Sequence, residues 1–174
     1  MTYQEYLEDH GINETTAHAF GLYEEHGNIV IPIRDSEGEL LWYKYRHLGG
    51  DVKFSFDPGA KTTLFNPDAL AKGSYIIICE GEPDCIKLTQ EGFIAVCSTT
   101  GAGSFPEEWA GQFIGKEVYI LMDSDDAGRL GAAKLLKLFP RSIVVELPPD
   151  TKDVCEFFKS YDVSAFNSLL KAAK

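Results

Sequence analysis

Hydrophobic and polar positions divide the chain into two patterns. From Asn28 to Leu48, "NIVIPIRDSEGELLWYKYRHL" alternates apolar and polar residues on both sides of "DSEG", which predicts a β-hairpin. Before it, "YQEYLEDHGINETTAHAF" predicts two short helices around "HGI", with Asn13 as N-cap of the second. After it, "GGDVKFSFDPGAKTTLFNPDAL" is broken by Gly and Pro and predicts loops with short extended pieces. A short helix then stops at Gly73. Beyond that point apolar runs alternate with helical segments. "YIIIC", "FIAVCS", "EVYILM" and "SIVVEL" predict strands, and helices are expected over about 83–91, 106–112, 128–139, 153–159 and 164–173. Short apolar runs joined by helices argue for a mostly parallel sheet covered on both faces. The expected fold is α/β: a small α+β subdomain over residues 1–72, then a helix-flanked sheet over residues 73–174.

Composition changes this picture little. A chain of 174 residues with 44% hydrophobic and 25% charged residues can bury a sizeable core. No apolar run is long enough for a membrane span, and the acidic start "MTYQEYLEDHG" is not a secretory signal, so a cytoplasmic location without membrane partners is expected. Cys79, Cys85, Cys97 and Cys155 form no C-x-x-C pair, which argues against a zinc ribbon and for reduced, packed thiols. The net charge of −11 runs against the basic footprint usual in nucleic-acid proteins. Scattered acids serve solubility, but some of these are clustered, and a divalent metal neutralises a cluster.

The clusters fall where a parallel sheet carries its chemistry, past the carboxyl ends of strands. "IIICEGEPD" puts Glu80, Glu82 and Asp84 after one strand. "YILMDSDDAG" puts Asp123, Asp125 and Asp126 after another, and "ELPPDTKD" adds Asp150 and Asp153 after a third. Converging carboxylates raise one another's pKa unless a cation sits among them, and Mg²⁺ takes carboxylates together with substrate phosphates. A magnesium-dependent phosphoryl or nucleotidyl transfer site follows. Helix capping explains a single such Asp more simply, but not three clusters. An EF-hand fails because Ala127 and Lys134 occupy ligand positions. "STTGAGS" offers a Gly-rich turn to a phosphate, though no G-x-G-x-x-G follows the first strand and no G-K-[ST] is present.

"ICEGEPDCIKL" with "ILMDSDDAGRLGAAKLL" resembles the Toprim domain of primases, topoisomerases and several nucleases. The pairing of E-G-E-x-D with D-x-D-x-A-G and a later "KD" is most similar to the primase branch, phage-type and mitochondrial primase-helicases above all. The N-terminal half extends the likeness to the subdomain that precedes Toprim in primases. The resemblance implies a primase-like nucleotidyltransferase acting in DNA replication, with single-stranded DNA template and nucleoside triphosphates as partners. It implies Mg²⁺ (or Mn²⁺) held by Glu80, Asp123, Asp125 and Asp153, with Glu80, Asp123 and Asp125 catalytic. Glu82, Asp84 and Asp126 are expected to support those ligands. Lys44, Arg46, Lys53 and Lys61 are expected to bind nucleotide and template phosphates.

The chain shows neither the zinc-binding module of such primases nor the P-loop helicase domain of primase-helicases. A replicative helicase or a zinc module in trans is therefore an implied partner. Two other functions compete: a Toprim nuclease that hydrolyses phosphodiesters, and a non-catalytic module that binds nucleic acid or a helicase.

Overall fold

The computed structural model describes residues 1–174, the side chain of Ala102 excepted. Helices α1 (Tyr3–Asp9) and α2 (Glu14–Ala19) open the chain. A capping box between Thr2 and Glu5 starts α1, and the Asn13 side chain accepts the Thr16 N–H to start α2. Strands β1 (Tyr23–Glu25), β2 (Asn28–Arg34), β3 (Leu40–His47) and β4 (Phe54–Phe56) then form an antiparallel sheet in chain order. The β2–β3 hairpin is closed by Asp35, whose Oδ1 accepts the Glu37 and Glu39 N–H groups at 2.9 Å each.

The second sheet contains β5 (Leu64–Phe65), β6 (Tyr75–Cys79), β7 (Ala95–Ser98), β8 (Glu117–Leu121) and β9 (Ile143–Val144), in the order β5-β7-β6-β8-β9. The last four are parallel, and β5 runs antiparallel on the edge of β7. Helices α3 (Glu82–Gln90), α4 (Asp126–Leu138), α5 (Val154–Ser160) and α6 (Val163–Ala172) cover it. Among the described residues, no helix is long and apolar enough to cross a membrane.

Alternate residues of β6 enter two different cores. Ile77 and Cys79 pack with Cys85, Ile86 and Leu88 of α3, Phe157 of α5 and Phe166 of α6. Ile76 and Ile78 pack on the other face with Leu135 of α4, Phe113 and Phe139. Burial on both faces is why these strands read as unbroken apolar runs. The first core also takes Tyr6, Leu7, Ile12, Ile29, Ile31 and Ile33, so the N-terminal half has no separate core.

Three details differ from expectation. Leu64–Phe65 joins the second sheet, so the sheet draws its edge strand from before residue 73. The segment Glu107–Phe113 is a 3₁₀ rather than an α-helix; it carries Gly111 and is too short to gain much from α-helical bonds. The last strand keeps only Ile143–Val144 of "SIVVEL", because it lies on an edge and is only half-buried.

A fragment of residues 73–174 would expose the face that Tyr6, Leu7 and Ile31 cover and would lose β5. It is expected to bind ANS and to melt without a cooperative transition, whereas the full chain melts sharply. Native-like cooperativity of the fragment would show that the two halves are separable.

Candidate metal centre

The strand order creates the site. From β6 the chain goes through α3 to β7 on one side, then crosses back to β8 on the other. The carboxyl ends of β6 and β8 therefore flank the crevice at a topological switch point, with α3 and α4 on opposite faces. Glu80 follows β6 and Asp123 lies just beyond β8. Glu80 Oε2 accepts the Asp123 backbone N–H at 3.1 Å, tying the two strand ends together.

Asp123, Ser124 and Asp125 make a tight entry into α4. Asp125 Oδ1 accepts the Gly128 N–H at 2.9 Å and caps the helix. Gly128 is required by close approach: a Cβ there would stand 2.0 Å from the Asp123 carbonyl oxygen. Ser124 stitches this turn to the third acidic segment. Its N–H donates to the Lys152 carbonyl at 2.8 Å and its hydroxyl to the Thr151 carbonyl at 2.7 Å. Asp153, next in the chain, caps α5 by accepting the Glu156 N–H at 2.8 Å.

The acids that meet most tightly are Asp84 and Asp153, whose ligand atoms lie with Cys155 Sγ inside 4.8 Å of one another. Among the described residues, Glu80, Asp123 and Asp125 do not group that closely. Asp125 is turned to its helix cap and Glu80 to a backbone N–H. Burial, then the charges of Asp123 and Asp153, hold the Asp84 carboxyl well above the usual range. Burial and Glu80 push Asp123 up to about 6, against the pull of Lys152, whose Nζ stands 3.6 Å from Asp123 Oδ2. Asp123 in turn raises Lys152. An all-oxygen set of carboxylates that repel one another suits a hard divalent cation. Asp84 feels the charges of Asp123 and Asp153, and Asp123 those of Glu80, Asp125 and Asp153, so these five acids form one mutually repelling group.

Several expected roles are not met by position. Lys44 does not face solvent. It is buried, and its ammonium donates to both Glu82 oxygens and to the Thr99 carbonyl, each at 2.8 Å. Lys44 is thereby occupied structurally rather than free for a phosphate, and Glu82 faces it instead of the other carboxylates. Burial, with Cys97 beside it, pushes Glu82 up to about 7, and Lys44 opposes this. Asp126 is 94% exposed and pairs with Arg129 at 2.5 Å, outside the cluster. Asp150 is exposed and accepts the Tyr161 hydroxyl proton. Arg46 lies over the Phe54 ring and donates to the Lys53 carbonyl, while Lys53 and Lys61 are exposed. Cys79, Cys85, Cys97 and Cys155 are all free and buried. The Ser124 stitch and the Cys155 contact had no signal in the sequence; the Gly128 approach had one, in the fixed spacing of "DDAG".

Two measurements follow from these geometries. Removing one partner of a buried ion pair costs about 3–5 kcal/mol. Lys44→Met is therefore expected to lower stability on that scale, and Lys44→Met/Glu82→Leu to recover most of it; a neutral single variant would return Lys44 to a phosphate-binding role. The second concerns pH. A carboxyl whose folded pKa is raised favours folding at low pH, and loses that contribution as pH rises through about 6. In chelator, Asp123→Asn is expected to match wild type near pH 4 and exceed it at pH 7 by on the order of 2 kcal/mol. Divalent cation should raise the melting temperature of wild type more than that of the variant. A difference that does not change with pH would remove charge repulsion as its cause.

The family described as Toprim-like matches residues 77–158. The DNA primase of Aquifex aeolicus (strain VF5) is 26% identical over 161 residues, covering 83% of this chain and 32% of that one. The gene 57 protein of Mycobacterium phage D29 is 32% identical over 108 residues, covering 60% of this chain and 70% of that protein. The crystal structure of the zinc-binding and RNA polymerase domains of the Aquifex aeolicus primase superposes with a TM-score of 0.80 at 23% identity, covering 97% of this chain and 55% of that one. A DnaG primase catalytic domain bound to single-stranded DNA gives 0.74 at 20% identity, over 97% and 70%. The chain thus spans about a third of the Aquifex primase's length. With the acidic motifs of all three strand ends inside the matched residues, residues 77–158 are a Toprim-like domain, and the chain shares its fold with primase catalytic cores.

Proposed function

We propose that this chain carries a primase-type nucleotidyl-transfer core that uses single-stranded DNA as template and nucleoside triphosphates as substrates. The observation that carries this reading is the joining of three strand ends. Glu80 holds the Asp123 N–H, and Ser124 holds the segment that bears Asp153. A divalent cation, Mg²⁺ or Mn²⁺, bound by Glu80, Asp123, Asp125 and Asp153 would supply charge neutralisation at the transferring phosphate. Asp84, buried behind Asp153, completes the negative field from the first turn of α3. Lys152, tethered by its own N–H to Glu156 Oε2 at 2.6 Å, keeps its ammonium at the cluster's edge, within reach of a triphosphate.

Arg46 and the exposed Lys53 and Lys61 supply positive charge outside the carboxylate cluster, on the side where template phosphates would run. The boundary read at residue 73 separates the candidate carboxylates, which lie after it, from Arg46, Lys53 and Lys61, which lie before it. A helicase or zinc module in trans belongs to this reading because the chain spans only about a third of the Aquifex primase, whose structure includes a zinc-binding domain; a cytoplasmic setting goes with the replication role.

With single-stranded template, nucleoside triphosphates and Mg²⁺, the chain is expected to extend labelled products. Removing one preorganised electrostatic group commonly costs about 10²–10³ in rate, so Asp125→Ala should abolish most extension while far-ultraviolet dichroism is unchanged. Shortened template without extension in wild type would replace this reading with hydrolysis. Binding without product in either metal would reduce it to a non-catalytic module.

A further inference from the structure

The inner face of the first sheet continues past the core. Partnering across β2, β3 and β4 puts Ile29, Ile31 and Ile33 on one side with Trp42, Lys44 and Arg46, and with Phe54 and Phe56. The isoleucines are fully buried, but at β4 the cover ends, and Phe54 and Phe56 stand 39% and 41% exposed. Lys44 Nζ lies 4.5 Å from the Phe54 centroid and 5.8 Å from that of Phe56. The same ammonium is 2.8 Å from Glu82, two residues past Glu80, so both rings lie a side chain's length from the end of β6. The Arg46 guanidinium sits 5.1 Å from the Phe54 centroid, and Trp42 meets Phe56 edge to face at 5.8 Å. Lys53 immediately precedes β4, and Lys61 lies in the connection that follows it; both are exposed.

Aromatic faces interleaved with cations are what single strands bind. Bases stack on the rings and phosphates run along the charges. The cations also argue for a polyanion over an apolar protein segment, which would leave the charges of Arg46, Lys53 and Lys61 without counter-charge.

We propose that Phe54 and Phe56 form a stacking platform for the bases of a single strand entering the carboxylate cluster, with Arg46, Lys53 and Lys61 on its phosphates. The direction toward the cluster rests on the nucleotidyl-transfer reading; the platform itself rests on the exposure and geometry of the two rings. Stacking accepts every base, so the property to read is base against no base.

The test uses the full chain and two labelled strands of equal length and charge, oligodeoxythymidine and an oligomer of abasic sites, followed by fluorescence anisotropy at fixed salt. Wild type is expected to bind the abasic strand at least about fivefold more weakly. Phe54→Ala/Phe56→Ala should lose that preference and bind oligodeoxythymidine as weakly as the abasic strand. Its unchanged affinity for the abasic strand reports an intact fold and cationic surface. Phe54→Trp should restore the preference, with indole fluorescence quenched by oligodeoxythymidine and not by the abasic strand. The platform is overturned if wild type binds both strands equally, if it binds neither, or if the double alanine variant keeps the preference. Extension assays run in parallel separate the two readings. Preference without any product leaves the platform standing and removes nucleotidyl transfer; product without preference does the reverse.

Discussion

Three consecutive isoleucines, Ile76, Ile77 and Ile78, are each fully buried at the centre of the second sheet. Neighbouring side chains of a strand point to opposite faces, so both faces of β6 must be covered. Each buried isoleucine is worth about 1.5–3 kcal/mol. That demand recruits α4 with Leu64 and Ala69 to one face, and α3, α5, α6 and most of the N-terminal half to the other. The central position of β6, with β7 on one side and β8 on the other, then makes the crevice at its carboxyl end. Burial of three methyl-rich side chains thus determines where the acids of three loops can meet.

Repulsion among those acids is what the burial works against. Asp84 and Asp123 are both raised, by desolvation first and by their neighbours second. A single raised carboxyl costs on the order of 2 kcal/mol at neutral pH, less than the sheet gains from its core. The acidic arrangement is therefore held by packing and by backbone hydrogen bonds, Glu80 to Asp123 and Ser124 to Lys152, rather than by attraction within the cluster. Glu82 pairs instead with Lys44, and that pair joins β3 of the first sheet to the start of α3. That salt bridge keeps Glu82 apart from the other acids, and its ammonium also lies 4.5 Å from the Phe54 ring.

The elements themselves were largely legible in the residues. The alternation around "DSEG", the cap at Asn13, and the apolar runs at β6 and β8 each gave the right element from local chemistry. Misses came where local chemistry was weak. Leu64–Phe65 is too short to show a period, and its pairing with β7 depends on a partner 32 to 34 residues away in sequence. The acidic strand ends were legible because a run of carboxylates after an apolar strand is costly without a purpose. Which acids face one another was not, because Glu82 and Asp84 lie on one short helix start and diverge to opposite neighbours.

The sequence by itself determined the periods, the caps and the three acidic loops, since each depends on residues close together along the chain. Only the tertiary structure decided that Asp84 meets Asp153, that Glu82 takes Lys44, and that Phe54 and Phe56 lie open on an inner face. These are contacts between segments far apart in sequence. They are chosen by which faces are buried and which charges are left to neutralise once β6 is covered.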